Sequence, residues 1–113
     1  MPYGLTDEDI QAITGVFDQY PAIEQAILYG SRAKGNYRPN SDIDLSLKGE
    51  SLTLSTLFQI ENDLDDLLLP YKIDLSIFHK IDNPDLVEHI ERVGMVFFGM
   101  WTDNHSNDIP RRL

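Results

Sequence analysis

Gly30-Ser31-Arg32-Ala33-Lys34-Gly35-Asn36-Tyr37-Arg38-Pro39-Asn40-Ser41-Asp42-Ile43-Asp44 is the stretch on which the reading of this chain turns. The apolar run Ala26-Ile27-Leu28-Tyr29 leads into it and predicts a buried strand. Glycine then opens a turn, residues 31–35 predict one or two helical turns, and 36–40 is a loop by composition. Ile43, Leu45 and Leu47 alternate with Asp42, Asp44 and Ser46, the period of a strand. Successive strand side chains face opposite ways, so Asp42 and Asp44 project to the same side. Two ionised carboxylates side by side repel each other and are best tolerated around a bound cation. Gly30-Ser31 offers the opposite kind of group: backbone N–H donors at a helix start, suited to an anion such as phosphate. A cation site facing an anion cradle is what a metal-bound nucleoside triphosphate requires.

Upstream, residues 1–5 read as a loose lead-in. Thr6 is the expected N-cap of a helix with acids in its first turn. Ile10, Ile13, Phe17 and Tyr20 form its buried stripe, and Pro21 ends it. A first strand is expected over 23–29 and a second over 42–47. Downstream, Leu54, Leu57, Ile60, Leu64 and Leu67 share one face of a predicted helix over 53–68, which Pro70 stops. Lys72-Ile73-Asp74-Leu75-Ser76-Ile77-Phe78 predicts a third strand in the same phase as the second: Ile73, Leu75 and Ile77 on one face, Asp74 and Ser76 on the other. If the two strands are neighbours, Asp74 meets Asp42 and Asp44 over one patch of sheet. Asn83-Pro84 opens a last helix whose stripe is Leu86, Ile90, Val93 and Phe97. Val96-Phe97-Phe98 and Met100-Trp101 read as core at its end, with an exposed anchor at Phe98 or Trp101 as the alternative. The polar segment 102–113 reads as a mobile tail. The expected architecture is a two-layer α/β (α+β) domain over residues 1–113, with its core at about 6–98. A small mixed sheet carries helices on one face and the three Asp residues on an open one.

The chain has 113 residues, no cysteine, and 9 basic against 19 acidic side chains, for a formal charge of -10. The absence of cysteine excludes cysteine-based chemistry, and the acidic balance argues against direct nucleic-acid binding, which leans on Lys and Arg. It favours a metal-masked small substrate or a basic protein partner. No apolar run is long enough to span a bilayer and no signal-peptide pattern opens the chain, so a cytoplasmic protein is expected.

At these residues the chain resembles the DNA polymerase β-like nucleotidyltransferase superfamily in its minimal form. The family signature is Gly-Ser, ten residues, then Asp-x-Asp, with a third acid on a later strand. Here Gly30-Ser31 is followed by the ten residues 32–41 and then Asp42-Ile43-Asp44, while Asp74 matches the third acid. Small members of this family resemble the minimal nucleotidyltransferase (MNT) partner of HEPN–MNT pairs. There the MNT protein is an antitoxin that transfers AMP from ATP to a tyrosine of the HEPN ribonuclease toxin. The resemblance therefore implies ATP as substrate and a HEPN-type toxin as partner.

With that family in view, Asp42, Asp44 and Asp74 are expected to hold two Mg²⁺ ions, Asp74 also taking the acceptor's proton. Gly30 and Ser31 are expected to hold the β- and γ-phosphates, with Arg32 and Lys34 as additional phosphate-binding candidates, a solvated surface being the alternative for both, and Arg38 a weaker one. Ser41 reads as a turn or strand-entry residue, Tyr29 as core, and Tyr37 as an exposed loop residue. His79, His89 and His105 lack metal-ligand spacing and read as surface residues. The chain's size leaves no room for an acceptor-holding domain, so a protein acceptor or self-association is expected. Two other readings stay open: transfer to a small-molecule hydroxyl such as an aminoglycoside's, and neutralisation of the partner by binding alone.

Overall fold

The computed structural model describes residues 1–99. The expectations placed on Met100, Trp101, His105 and the segment 102–113 lie outside the described residues. Thr6 opens α1 (Asp7–Phe17) with a reciprocal cap: its side chain accepts from the Asp9 N–H, and Asp9 accepts from the Thr6 N–H. Ile13, Val16 and Phe17 are its buried residues, while Ile10 and Tyr20 only flank the core. The helix stops at Phe17, and Gln19 and Tyr20 continue as tighter turns ahead of Pro21. β1 (Gln25–Tyr29) is buried along its whole length. Then follow α2 (Ser31–Lys34), β2 (Ile43–Lys48), α3 (Leu54–Asp65), β3 (Ile73–Ile77) and α4 (Pro84–Val93). Leu57, Ile60 and Leu64 of α3 are buried as the spacing demands, but Leu54 at its first turn is exposed. The helix ends three residues earlier than expected, and Leu68 adopts a left-handed conformation before Pro70.

Two expectations need correction. Phe97 does not extend the last helix. Gly94 leaves helical geometry at ψ 145, and the chain turns into a fourth strand, β4 (Met95–Gly99), antiparallel to β1. Nor are residues 1–5 loose: Leu5 is fully buried, and the Tyr3 ring packs 5.9 Å from that of Phe97.

The sheet runs β3-β2-β1-β4, with β1 antiparallel to both its neighbours and β2 parallel to β3 across the α3 crossover. It is mixed, as expected. One face, carrying Ala26, Leu28, Leu45, Leu47 and Leu75, packs on α1 and α3 to form the main core. Phe98 belongs to this packing, its ring edge-on to Phe17 at 5.6 Å. The other face carries the acids. Over its β1 side α4 forms a partial roof, joining Ile90 to Ile27 and Tyr29. Among the described residues, no helix is long and apolar enough to cross a membrane.

Candidate active site

At the end of β1, Gly30 turns the chain with φ 76 and ψ -156, a conformation closed to side-chain-bearing residues. A Cβ there would also collide with Oδ2 of Asp44. The missing side chain therefore does two things: it permits the turn, and it lets the Asp44 carboxylate lie against the backbone. Ser31 begins α2, whose first-turn N–H groups have no acceptor within the helix. Lys34 N–H reaches the Gly30 carbonyl at 3.0 Å, and Gly35 closes the turn in the left-handed region.

Strand register gathers the acids. Tyr29 pairs with Asp44, and Asp44 pairs with Asp74, so the three form one row across the sheet on one face. The next row is Ile27, Ser46 and Ser76, where Ser76 Oγ lies 2.9 Å from Ser46 Oγ. Asp42 precedes β2 in the phase of Asp44. Asp42 and Asp74 are exposed, and Asp44 is half-buried. Burial is the main cause that pushes the Asp44 carboxyl above its ordinary value; repulsion from Asp74 and Asp42 adds to it. His89 and Lys72 pull the other way. The Tyr29 hydroxyl is also pushed up, chiefly by burial; Ser76 beside it acts in the opposite sense, and Asp44 and Asp74 add repulsion.

Among the described residues, no three His, Cys, Asp or Glu side chains converge into a ready-made ion cage. The donor set still suits Mg²⁺, which keeps several waters and takes only one or two carboxylates when phosphate oxygens supply the rest. Carboxylates strained by mutual repulsion on one patch are the groups that such an ion, arriving with a triphosphate, relieves.

Arg32 departs from its expected role. It is 2% exposed, and its guanidinium is spent inside the protein. Nε and Nη2 donate to the Ser41 carbonyl at 3.1 and 2.8 Å, Nη2 to the Pro39 carbonyl at 3.1 Å, and Nη1 to the Tyr3 carbonyl at 2.8 Å. The rings of Tyr37 and Tyr71 flank it at 5.3 and 4.9 Å. It fixes the loop that carries Asp42, and its donors are not free for phosphate. Tyr37, expected in solvent, is half-buried against it. Ser41 is the turn residue expected, its Oγ accepting from the Arg38 N–H at 2.8 Å. Lys34 and Arg38 are exposed, as is His79.

Two further residues come into the site: Lys72, to which sequence reading gave no role, and His89, which it placed on the surface. Lys72 acts on Asp44 from the mouth of β3, and its position two residues before Asp74 was a readable sign of a shared side. His89 is half-buried on α4, with its ring edge-on to Tyr29 at 6.1 Å. It stands three residues after Leu86 and four before Val93, within the apolar stripe, and that spacing was its only signal.

The family model described as polymerase beta, nucleotidyltransferase matches residues 11–100. No curated protein matches the chain. Among solved structures, a toxin–antitoxin complex with AMP-PNP aligns with a TM-score of 0.67 at 21% identity, covering 91% of this chain and 79% of that one. A MntA–HepT toxin–antitoxin aligns at 0.62 and 19% identity, covering 83% and 73%. A tri-AMPylated Shewanella oneidensis HEPN toxin in complex with MNT antitoxin aligns at 0.63 and 16% identity, covering 92% and 78%. At such identities the likeness is one of fold.

Proposed function

This chain belongs to the polymerase beta nucleotidyltransferase family, and from that premise we propose that it transfers AMP from ATP to a tyrosine hydroxyl of a HEPN-type toxin, silencing it as an antitoxin. The single observation that carries the transferase reading is the row Tyr29–Asp44–Asp74 with Gly30 closed against Asp44. The choice of acceptor draws on the toxin–antitoxin complexes whose fold the chain shares. The chain acts in this reading as one transferase domain over 1–113, with its core at about 6–98, working in the cytoplasm.

The layout orders the reaction. Gly30 and Ser31 lie on the β1 side of Asp44 and hold the β- and γ-phosphates. Asp74 lies on the other side, exposed on the edge strand β3, where an acceptor can enter. Entry and exit on opposite sides of Asp44 suit an in-line displacement. The tyrosine oxygen bonds to the α-phosphorus, the α–β bridging P–O bond breaks, and pyrophosphate leaves with that oxygen. The hydroxyl proton passes to Asp74, the acid nearest the entry. Bound with the nucleotide at Asp42, Asp44 and Asp74, two Mg²⁺ ions would supply charge neutralisation to the attacking and leaving oxygens. Lys34, exposed at the end of α2, adds positive charge near the phosphates.

The experiment combines the purified protein, ATP labelled on its α-phosphate, Mg²⁺ and the protein encoded by the adjacent reading frame, expected to be a HEPN-type toxin. Label should enter the toxin on tyrosine, and the Asp42→Asn/Asp44→Asn double variant should add none. Normal labelling by that variant sinks the catalytic assignment. Full toxin protection without labelling makes the protein a binding antitoxin, and turnover with a small hydroxyl compound alone makes it a small-molecule transferase.

A further inference from the structure

With Arg32 committed to backbone carbonyls, the carboxylate face has few groups able to answer a triphosphate's charge. Beyond Ser31 and the turn's own N–H groups, the side chains that act on Asp44 with donor character are Lys72 and His89. They stand on opposite sides. Lys72 opens β3, on the acceptor's side, whereas His89 hangs from α4 over Tyr29, on the side of Gly30 and the departing pyrophosphate. His89 is also held in place. Its neighbour Ile90 is buried against Ile27 and Tyr29, and its own ring meets Tyr29 at 82°. Among the described residues its imidazole nitrogens have no hydrogen-bond partner. A half-buried imidazole packed on Tyr29 beside the carboxylate row, with unengaged nitrogens, is poised for a ligand.

We propose that His89 donates a hydrogen bond from its imidazole to a phosphate oxygen of the bound nucleoside triphosphate on the leaving-group side. This rests on the nucleotidyltransferase reading and adds α4 to the substrate site. The helix that roofs the β1 side of the sheet thereby becomes part of the nucleotide site. Charge builds on the pyrophosphate as the α–β bond breaks, so the contact strengthens in the transition state.

The test is binding of Mg²⁺ with α,β-methylene-ATP, which cannot be transferred, by calorimetry on wild type, His89→Phe and His89→Gln. Phenylalanine keeps a ring against Tyr29 and removes the donor; glutamine keeps a donor and removes the ring. The Phe variant should bind about tenfold more weakly and the Gln variant within about threefold of wild type. The reverse pattern, or equal binding by all three, overturns the proposal, because ring packing alone would then explain the residue. A second measurement needs no variant: in ¹⁵N-histidine spectra of the wild type, saturation with the same analogue should shift the His89 nitrogens and leave His79 in place. Unmoved His89 signals at saturation overturn the contact while leaving the transferase reading intact. A wild type that binds no nucleotide overturns both.

Discussion

Asp44 carries a conflict that burial and its neighbours impose. Its carboxyl is pushed upward by burial and then by Asp74 and Asp42. A carboxyl raised in the folded state binds its proton more tightly there than in the unfolded chain. Its contribution to stability is therefore fully present below the ordinary value of 3.8 and is lost as pH rises through the higher folded value. At neutral pH the ionised Asp44 costs the fold something. Asp44→Asn should raise the melting temperature at pH 7, by roughly 2–5 °C once solvent screening is allowed for. The advantage of the variant should shrink as pH falls toward 4, and thermal melts across pH 4–8 check this. The same change should cut AMP transfer by at least about a hundredfold. Arg32 makes the opposite case. Replacing it by Met leaves the carbonyls of Tyr3, Pro39 and Ser41 without their partner and should cost on the order of 3–5 kcal/mol in urea unfolding. A phosphate ligand would instead have weakened nucleotide binding and left stability alone.

The turn from β1 into α2 is the element where backbone and chemistry are least separable. Gly30→Ala should destabilise by about 1–3 kcal/mol, because alanine is forced into a conformation it avoids. It should also lower AMP transfer beyond what stability explains, since the added methyl displaces the Asp44 carboxylate; urea melts and rates on the same preparation separate the two effects. The glycine turn and the short helix after it were legible in the chain, as was the shared phase of β2 and β3. Period-two alternation and a Gly-Ser turn are local signals, and the register of Asp44 with Asp74 followed once the strands were neighbours. β4 was not legible. Leu86, Ile90, Val93 and Phe97 keep helical spacing straight through the break, and only Gly94 marked the change to a strand. His89 and Arg32 were misread for a different reason. What each touches is decided across the fold, by α4 crossing β1 and by the N-terminal segment returning to the loop, and no spacing along the chain records that.

Across the whole molecule, a charge of -10 sits on a protein whose proposed target is another protein. Long-range attraction to a basic partner should speed encounter and fade as salt rises. Stopped-flow association with the HEPN-type toxin should slow by about tenfold or more between 20 and 500 mM NaCl, with dissociation changing far less. A rate independent of salt would place docking on apolar contact instead. The Arg32 guanidinium meanwhile ties together three distant pieces of chain: the 3₁₀ turn at Pro2–Gly4, the helix α2 and the loop before β2. Whoever engineers this protein should accordingly leave its opening residues alone. Tags, linkers or trimming there would work like a loosened anchor bolt, felt not at the end of the chain but at the seat of Asp42, some forty positions away in sequence.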